Sequence, residues 1–156
     1  MDDCSKGFFG LFDGHGGGEV VKYVKDRMPE LFSKSLPKNK FNSEKAFLSV
    51  FKKIDQEIKS IPDSLNVGTN ACCIYFQKEN DINLGSKRVI TCANVGDTRA
   101  ILITQNEVKR LSYDHKSIDD SEVIRIKKAG GEIFNGRVMG QLALSRALGD
   151  HEMKKH

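Results

Sequence analysis

The sequence contains no tryptophan and only three tyrosines and three prolines in 156 residues. Nucleic-acid surfaces combine a basic stripe with aromatic platforms, and here tryptophan is absent, tyrosine is scarce and the lysines alternate with acids along the chain, so no nucleic-acid partner is expected. No uninterrupted apolar run approaches the roughly 18 residues that a membrane helix needs. The opening Met1-Asp2-Asp3-Cys4 also lacks a positive segment followed by an apolar one. The expectation is a cytoplasmic or nuclear protein with no membrane partner. The four cysteines, at positions 4, 72, 73 and 92, show no paired CxxC spacing, which argues against a zinc site. Cys72, Cys73 and Cys92 lie in apolar stretches, where cysteine behaves as a small hydrophobe. No repeat, low-complexity tract or proline-rich linker divides the chain, so residues 1–156 read as a single domain.

What is present is ordinary for a globular domain: 38% hydrophobic residues, 29% charged, and a net charge of +4. Gly7 to Phe12 is a short apolar run that reads as a strand. It leads into Asp13-Gly14-His15-Gly16-Gly17-Gly18, read as a glycine turn. Val20, Val21, Val24, Met28, Leu31 and Phe32 then recur at near-helical spacing, with Pro29 expected to kink the helix or begin a second one. Ser43 can cap another helix, whose apolar stripe runs through Phe47, Leu48, Phe51, Ile54, Ile58 and Ile61 and ends at Pro62. Downstream the period changes: Ala71–Phe76, Val89–Val95, Ala100–Thr104 and Glu107–Leu111 are short β-branched or aromatic runs separated by turn residues, which predicts an antiparallel meander. Asp119 to Glu122 reads as a capping box, and Gly130 can take the left-handed position that stops the helix. Helices flanking antiparallel strands make the class α+β.

The stretch from Asp13 to Gly18 carries the chemistry. A P-loop would require Lys and Ser or Thr after the last glycine, but Glu19-Val20 follows. A dinucleotide fingerprint would require glycine at position 19, and Glu19 would face the pyrophosphate instead. A purely structural turn stays open as the bland alternative. The functional alternative is hard-cation chemistry: Asp13 offers carboxylate oxygens, Gly14 lets its carbonyl approach closely, and His15 can handle a proton. That combination suits hydrolysis of a phosphate ester.

Phe9-Gly10-Leu11-Phe12-Asp13-Gly14-His15-Gly16-Gly17 resembles the signature of the metal-dependent serine/threonine phosphatases, the protein phosphatase 2C family. Four further blocks resemble the family in the same order: Cys92 to Ala100, Leu111 to Lys116, Glu122 to Gly131, and Arg137 to Asp150. The resemblance implies an antiparallel two-sheet β-sandwich flanked by helices. It also implies Mg²⁺- or Mn²⁺-dependent hydrolysis of phosphoserine and phosphothreonine by metal-activated water, with phosphorylated proteins as substrates. On that resemblance Asp13 bridges two metals, Gly14 supplies a carbonyl ligand, and His15 is the general acid, so His15 and Asp13 are the catalytic candidates. Asp114 is similar to an aspartate linked to a third metal, or is a polar residue after a strand. Asp97 and Arg99 resemble hairpin-turn residues, Arg146 and Asp150 fall in a structural block, and Arg137 reads as a solvated arginine. Gly68-Thr69-Asn70-Ala71 departs from the family's pattern, placing the amide of Asn70 where a hydroxyl is usual. The family's upstream phosphate-binding arginine and acidic pair, and its later aspartates, have no counterpart in this stretch. The domain is therefore expected to be incomplete, with exposed strands that favour self-association. The alternative reading is a catalytically inactive phosphatase-like binding or regulatory protein.

Overall fold

The computed structural model describes residues 5–62, 64–81 and 85–155. Cys4 lies outside them. The fold is α+β. Strands β1 (Lys6–His15), β2 (Gly68–Asp81) and β3 (Gly85–Val95) form an antiparallel sheet in that order, and the two-residue β8 (Leu148–Gly149) adds to β2 on the edge away from β1, across from the end of that strand. Two hairpins, β4 (Ile101–Ile103) with β5 (Val108–Arg110) and β6 (Ile133–Phe134) with β7 (Arg137–Val138), form separate small sheets. Helices α1 (Glu19–Lys38) and α2 (Ser43–Ile58) pack on one face of the main sheet, and α3 (Asp120–Lys128) lies between the hairpins in sequence.

The core follows from two periodicities meeting. Val20, Val24, Met28, Leu31, Phe32 and Leu36 of α1 face Ala46, Phe47, Val50, Ile54 and Ile58 of α2, and the sheet contributes Ala71, Cys73 and Tyr75. Phe32 sits at its centre, with ring centroids 4.3 Å from Phe47 and 5.0 Å from Tyr75. Burying one such side chain stabilises the fold by roughly 1.5–3 kcal/mol. The opposite face of the sheet is covered differently: Thr98 to Ile101 lie across a cleft from Phe9, Leu11, Cys72 and Ile74, so the β4–β5 hairpin supplies a second layer. Phe9 and Leu11 stay exposed there. Among the described residues no helix is long and apolar enough to cross a membrane. Cys72, Cys73 and Cys92 are free thiols, the first two buried.

Several local expectations change. Strand β1 does not stop at Phe12 but continues through His15, so the turn proper is Gly16 to Gly18, with Gly16 in the left-handed region at φ +76°. Helix α1 runs uninterrupted through Pro29 and Pro37. Pro29 is exposed, on the side where a helical carbonyl deprived of its partner can turn to water, while apolar residues before and after it bury in the same core. The α2 cap is Asn42, whose side chain accepts from the Lys45 amide at 2.8 Å, and Ser43 Oγ instead meets Thr91 Oγ1 at 2.6 Å. That helix ends at Ile58, before Pro62, and Leu48 faces solvent rather than the core. The Asp119 side chain makes no cap hydrogen bond and accepts from Tyr113 Oη. Gly130 does take a positive φ, +90°.

Candidate functional site

Alternation along β1 sorts its residues onto two faces. Phe8 meets Phe32 and Phe47 of the helices, and a Cβ on Gly14 would fall 2.7 Å from the Val21 side chain, so even-numbered residues point at the helices. Phe9, Leu11, Asp13 and His15 point the other way. Asp13 and His15 thus share one face at the strand's end, opposite Asn70 and Gly68 of β2 in the register. Asp13 is exposed and makes no side-chain hydrogen bond or ion pair among the described residues.

His15 is half-buried, and its Nε2 lies 2.7 Å from Oδ2 of Asp150, a carboxylate with 4% of its surface exposed. The hydrogen bond to Asp150 raises the imidazole's pKa; burial opposes this, and the charges of Asp150, Asp13 and Asp97 add to the rise. Among the described residues Asp150 is the carboxylate in hydrogen-bond contact with the ring, and Asp13 and Asp97 act on it through their charge alone. Asp97 is held by the Asn70 amide, whose Nδ2 donates to Oδ1 at 2.8 Å. Gly96, at φ +102°, makes room for Asn70, because a Cβ there would fall 2.1 Å from its Oδ1. That Oδ1 is buried and has no hydrogen-bond partner among the described residues.

Asp13, Gly14 and His15 are together, as consecutive residues must be, and Asp114 pairs with two arginines. It is buried, and its two oxygens accept from Arg99 Nη2 at 2.5 Å and Arg110 Nη2 at 2.6 Å. The Arg99 hydrogen bond leads in holding its carboxyl below the usual range, against burial and with help from Arg110. No hydrogen bond joins Asp114 to Asp13 or His15 among the described residues; it ties β5 to the segment leading into β4. Arg137 is exposed and donates to the Gln141 carbonyl at 2.8 Å. Sequence reasoning assigned Asp150 to a structural block and Asp97 to a turn, yet both carboxylates act on His15. Nothing local in the sequence signals this, since 135 positions separate Asp150 from His15.

Arg146 lies in an ion-pair cluster with α3. Together with Arg125 it clamps the buried Glu122, at 2.7 Å from Arg146 Nη2 and 2.7 Å from Arg125 Nη2. Burial alone would raise the Glu122 pKa, but the hydrogen bonds from Arg146 and Arg125 prevail and hold it well below the carboxylate range. Arg146→Met should therefore destabilise the fold by about 2 kcal/mol at neutral pH, by leaving a buried carboxylate with one cation fewer. A group with a depressed folded-state pKa contributes stability that is lost as pH falls below its unfolded value, about 4.3 for Glu. The difference between wild type and variant in urea melts should accordingly shrink toward about pH 3; a difference unchanged by acid would mean that the pair contributes only packing.

Asp13 and the Gly14 carbonyl are hard oxygen donors of the kind a divalent cation takes, and they account for two of the six or so such an ion uses. Among the described residues no group of three or more His, Cys, Asp or Glu side chains is placed to hold an ion. The two donors fit part of a shell.

Comparison with known proteins bears on the family and the fold. Protein phosphatase 2C homolog 2 of Schizosaccharomyces pombe is 40% identical over 148 residues, covering 95% of this chain and 38% of its own. Protein phosphatase 1L of Bos taurus is 40% identical over 159 residues, covering 94% of this chain and 42% of its own. The chain thus spans about two fifths of the length of these curated relatives. The crystal structure of a phosphatase from a pathogenic strain of Toxoplasma gondii superposes with a TM-score of 0.75 at 26% identity, over 95% of this chain and 57% of that one. With residues 2–156 matching the family described as Protein phosphatase 2C, this chain belongs to the protein phosphatase 2C family.

Proposed function

We propose that the chain carries the leaving-group side of a Mg²⁺- or Mn²⁺-dependent site that hydrolyses phosphoserine and phosphothreonine in proteins. The observation that carries this reading is the placement of Asp13 and His15 on one face at the end of β1, the carboxylate exposed and the imidazole held by Asp150. When bound, the divalent ions supply positive charge at the phosphoryl oxygens and lower the pKa of the attacking water. Asp13 and the Gly14 carbonyl would hold part of their shell. His15 gives a proton to the departing serine or threonine oxygen, which as an alkoxide is a poor leaving group. Nearby carboxylates favour the protonated imidazole required for that step. Family membership and phosphatase relatives support the reaction class.

Hydrolysis of p-nitrophenyl phosphate and of a phosphothreonine peptide should require Mn²⁺ and stop with a chelator. Asp13→Asn, which removes the charge and one strong acceptor, should lower the rate about 100-fold or more. No hydrolysis by a cooperatively folded chain that retains phosphopeptide binding would replace this reading with that of a phosphatase-like binding protein.

A further inference from the structure

We propose that Asp150 is the positioning residue for His15: it holds Nε2, fixes the tautomer, and leaves Nδ1 as the nitrogen that faces the leaving group. The inference rests on the phosphatase reading for its chemical meaning, but its geometry stands apart from that reading. The contact is 2.7 Å, the Asp150 side chain is nearly fully buried, and no hydrogen bond to Nδ1 exists among the described residues.

The surrounding backbone is shaped around this pair. Strand β8 pairs with the start of β2, Gly149 opposite Gly68, and Gly68 in turn lies opposite His15. Gly68 is thus the spacer between the two strands that carry the pair. A Cβ there would fall 2.2 Å from Asp150 Oδ2 and 2.7 Å from His15 Nε2, so only glycine leaves the gap through which they meet. Gly149 and Asp150 both adopt left-handed backbone, at φ +86° and +49°. That conformation is uncommon for aspartate and persists where its surroundings fix it. Here the Asp150 amide donates to the Val67 carbonyl at 3.0 Å, and the Gly149 amide donates to Asp55 of α2 at 2.9 Å. A helix, two strands and a strained turn together aim one carboxylate at one ring nitrogen.

Water attacks phosphorus, the ester P–O bond breaks, and its electron pair goes to the ester oxygen, which takes the proton from Nδ1. The imidazolium becomes neutral and keeps its Nε2 proton, still donated to Asp150. With the tautomer fixed, the ring presents one defined nitrogen to each incoming substrate.

Long-range ¹H–¹⁵N spectra of the histidine ring, recorded at a pH where His15 is neutral, test the positioning without any turnover. Wild type should show a single Nε2–H tautomer for His15. Asp150→Ala should lose it in favour of a mixture, and Gly68→Ala should do the same with Asp150 still present, by wedging a methyl between the partners. A wild-type ring that is already a mixture, or a folded variant of either kind with an unchanged tautomer, would overturn the proposal. If Asp150→Ala fails to fold, the wild-type and Gly68→Ala spectra still decide.

Kinetics form the second arm. With an alkyl phosphate, Asp150→Ala should lower kcat by about 10- to 100-fold with KM little changed, while p-nitrophenyl phosphate, whose leaving group needs no proton, should be nearly unaffected. Equal losses on both esters would overturn the positioning role. Absence of hydrolysis by wild type would refute the phosphatase reading and leave the spectra to judge Asp150.

Discussion

His15→Ala should slow hydrolysis of an alkyl phosphate ester by roughly 100- to 10,000-fold, the usual range for a positioned proton donor. That corresponds to about 2.7–5.5 kcal/mol of lost transition-state stabilisation. The loss for p-nitrophenyl phosphate should be no more than about 10-fold, because its phenolate departs without a proton. The contrast separates chemistry from structure. Deleting the imidazole also removes the partner of Asp150, and any resulting disturbance of the site would weaken both esters alike. Only loss of a proton to the leaving oxygen discriminates between them. Equal losses would show that His15 holds the end of β1 in place and nothing more. Steady-state rates for the two esters, measured on one preparation at saturating Mn²⁺, decide the matter.

Ile54→Ala should destabilise the fold by about 3–4 kcal/mol, whereas Leu48→Ala should change it by no more than about 0.5 kcal/mol. Both residues belong to the apolar stripe read from the sequence of α2. Ile54 is fully buried between the helices and the sheet, while Leu48 is 64% exposed. Truncating the first removes buried methylenes and leaves a void that close-packed neighbours fill only in part. Truncating the second removes surface that water already reaches. Equilibrium urea unfolding of both variants would test the assignment of faces, and comparable costs would mean that α2 turns a different face to the sheet and α1.

These two residues also show where sequence reading stops. A helical period locates a stripe about 100° wide, but its edges are settled by what the neighbouring element covers, and here α1 and the sheet leave Leu48 outside. Strands β2 and β3 were legible because β-branched and aromatic runs have few other uses. The motif around Asp13 was legible as chemistry but not as conformation. Glycines suggested a turn, while pairing of Gly10 to His15 with Gly68 to Cys73 extends the strand to its last functional residue. Pro29 misled for a related reason, since the cost of one lost helical hydrogen bond is outweighed by burial on both sides of it. Asp114 and Asp150 were both visible as acids. Which of them pairs with arginine and which with histidine depends on contacts between distant segments, Arg99 and Arg110 for one and β1 for the other, and no local pattern encodes them.

The separation of His15 from Asp150 also sets an order of events during synthesis. A chain leaving the ribosome can place α1 and α2 against β1, β2 and β3 once Val95 has emerged, because nearly all of the main core precedes that point. Leu148 and Gly149 arrive more than fifty residues later and attach through two pairings to β2. The hydrophobic interior can therefore assemble in a nascent chain whose imidazole still lacks its carboxylate. In the mature sheet those two pairings are reinforced by burial of Leu148 in the core and by the hydrogen bonds of the Gly149 and Asp150 amides to Asp55 and Val67. Amide exchange at Gly149 and Asp150 should accordingly be as slow as that of the neighbouring β2 amides, and faster exchange there would show that the dyad opens locally, short of global unfolding.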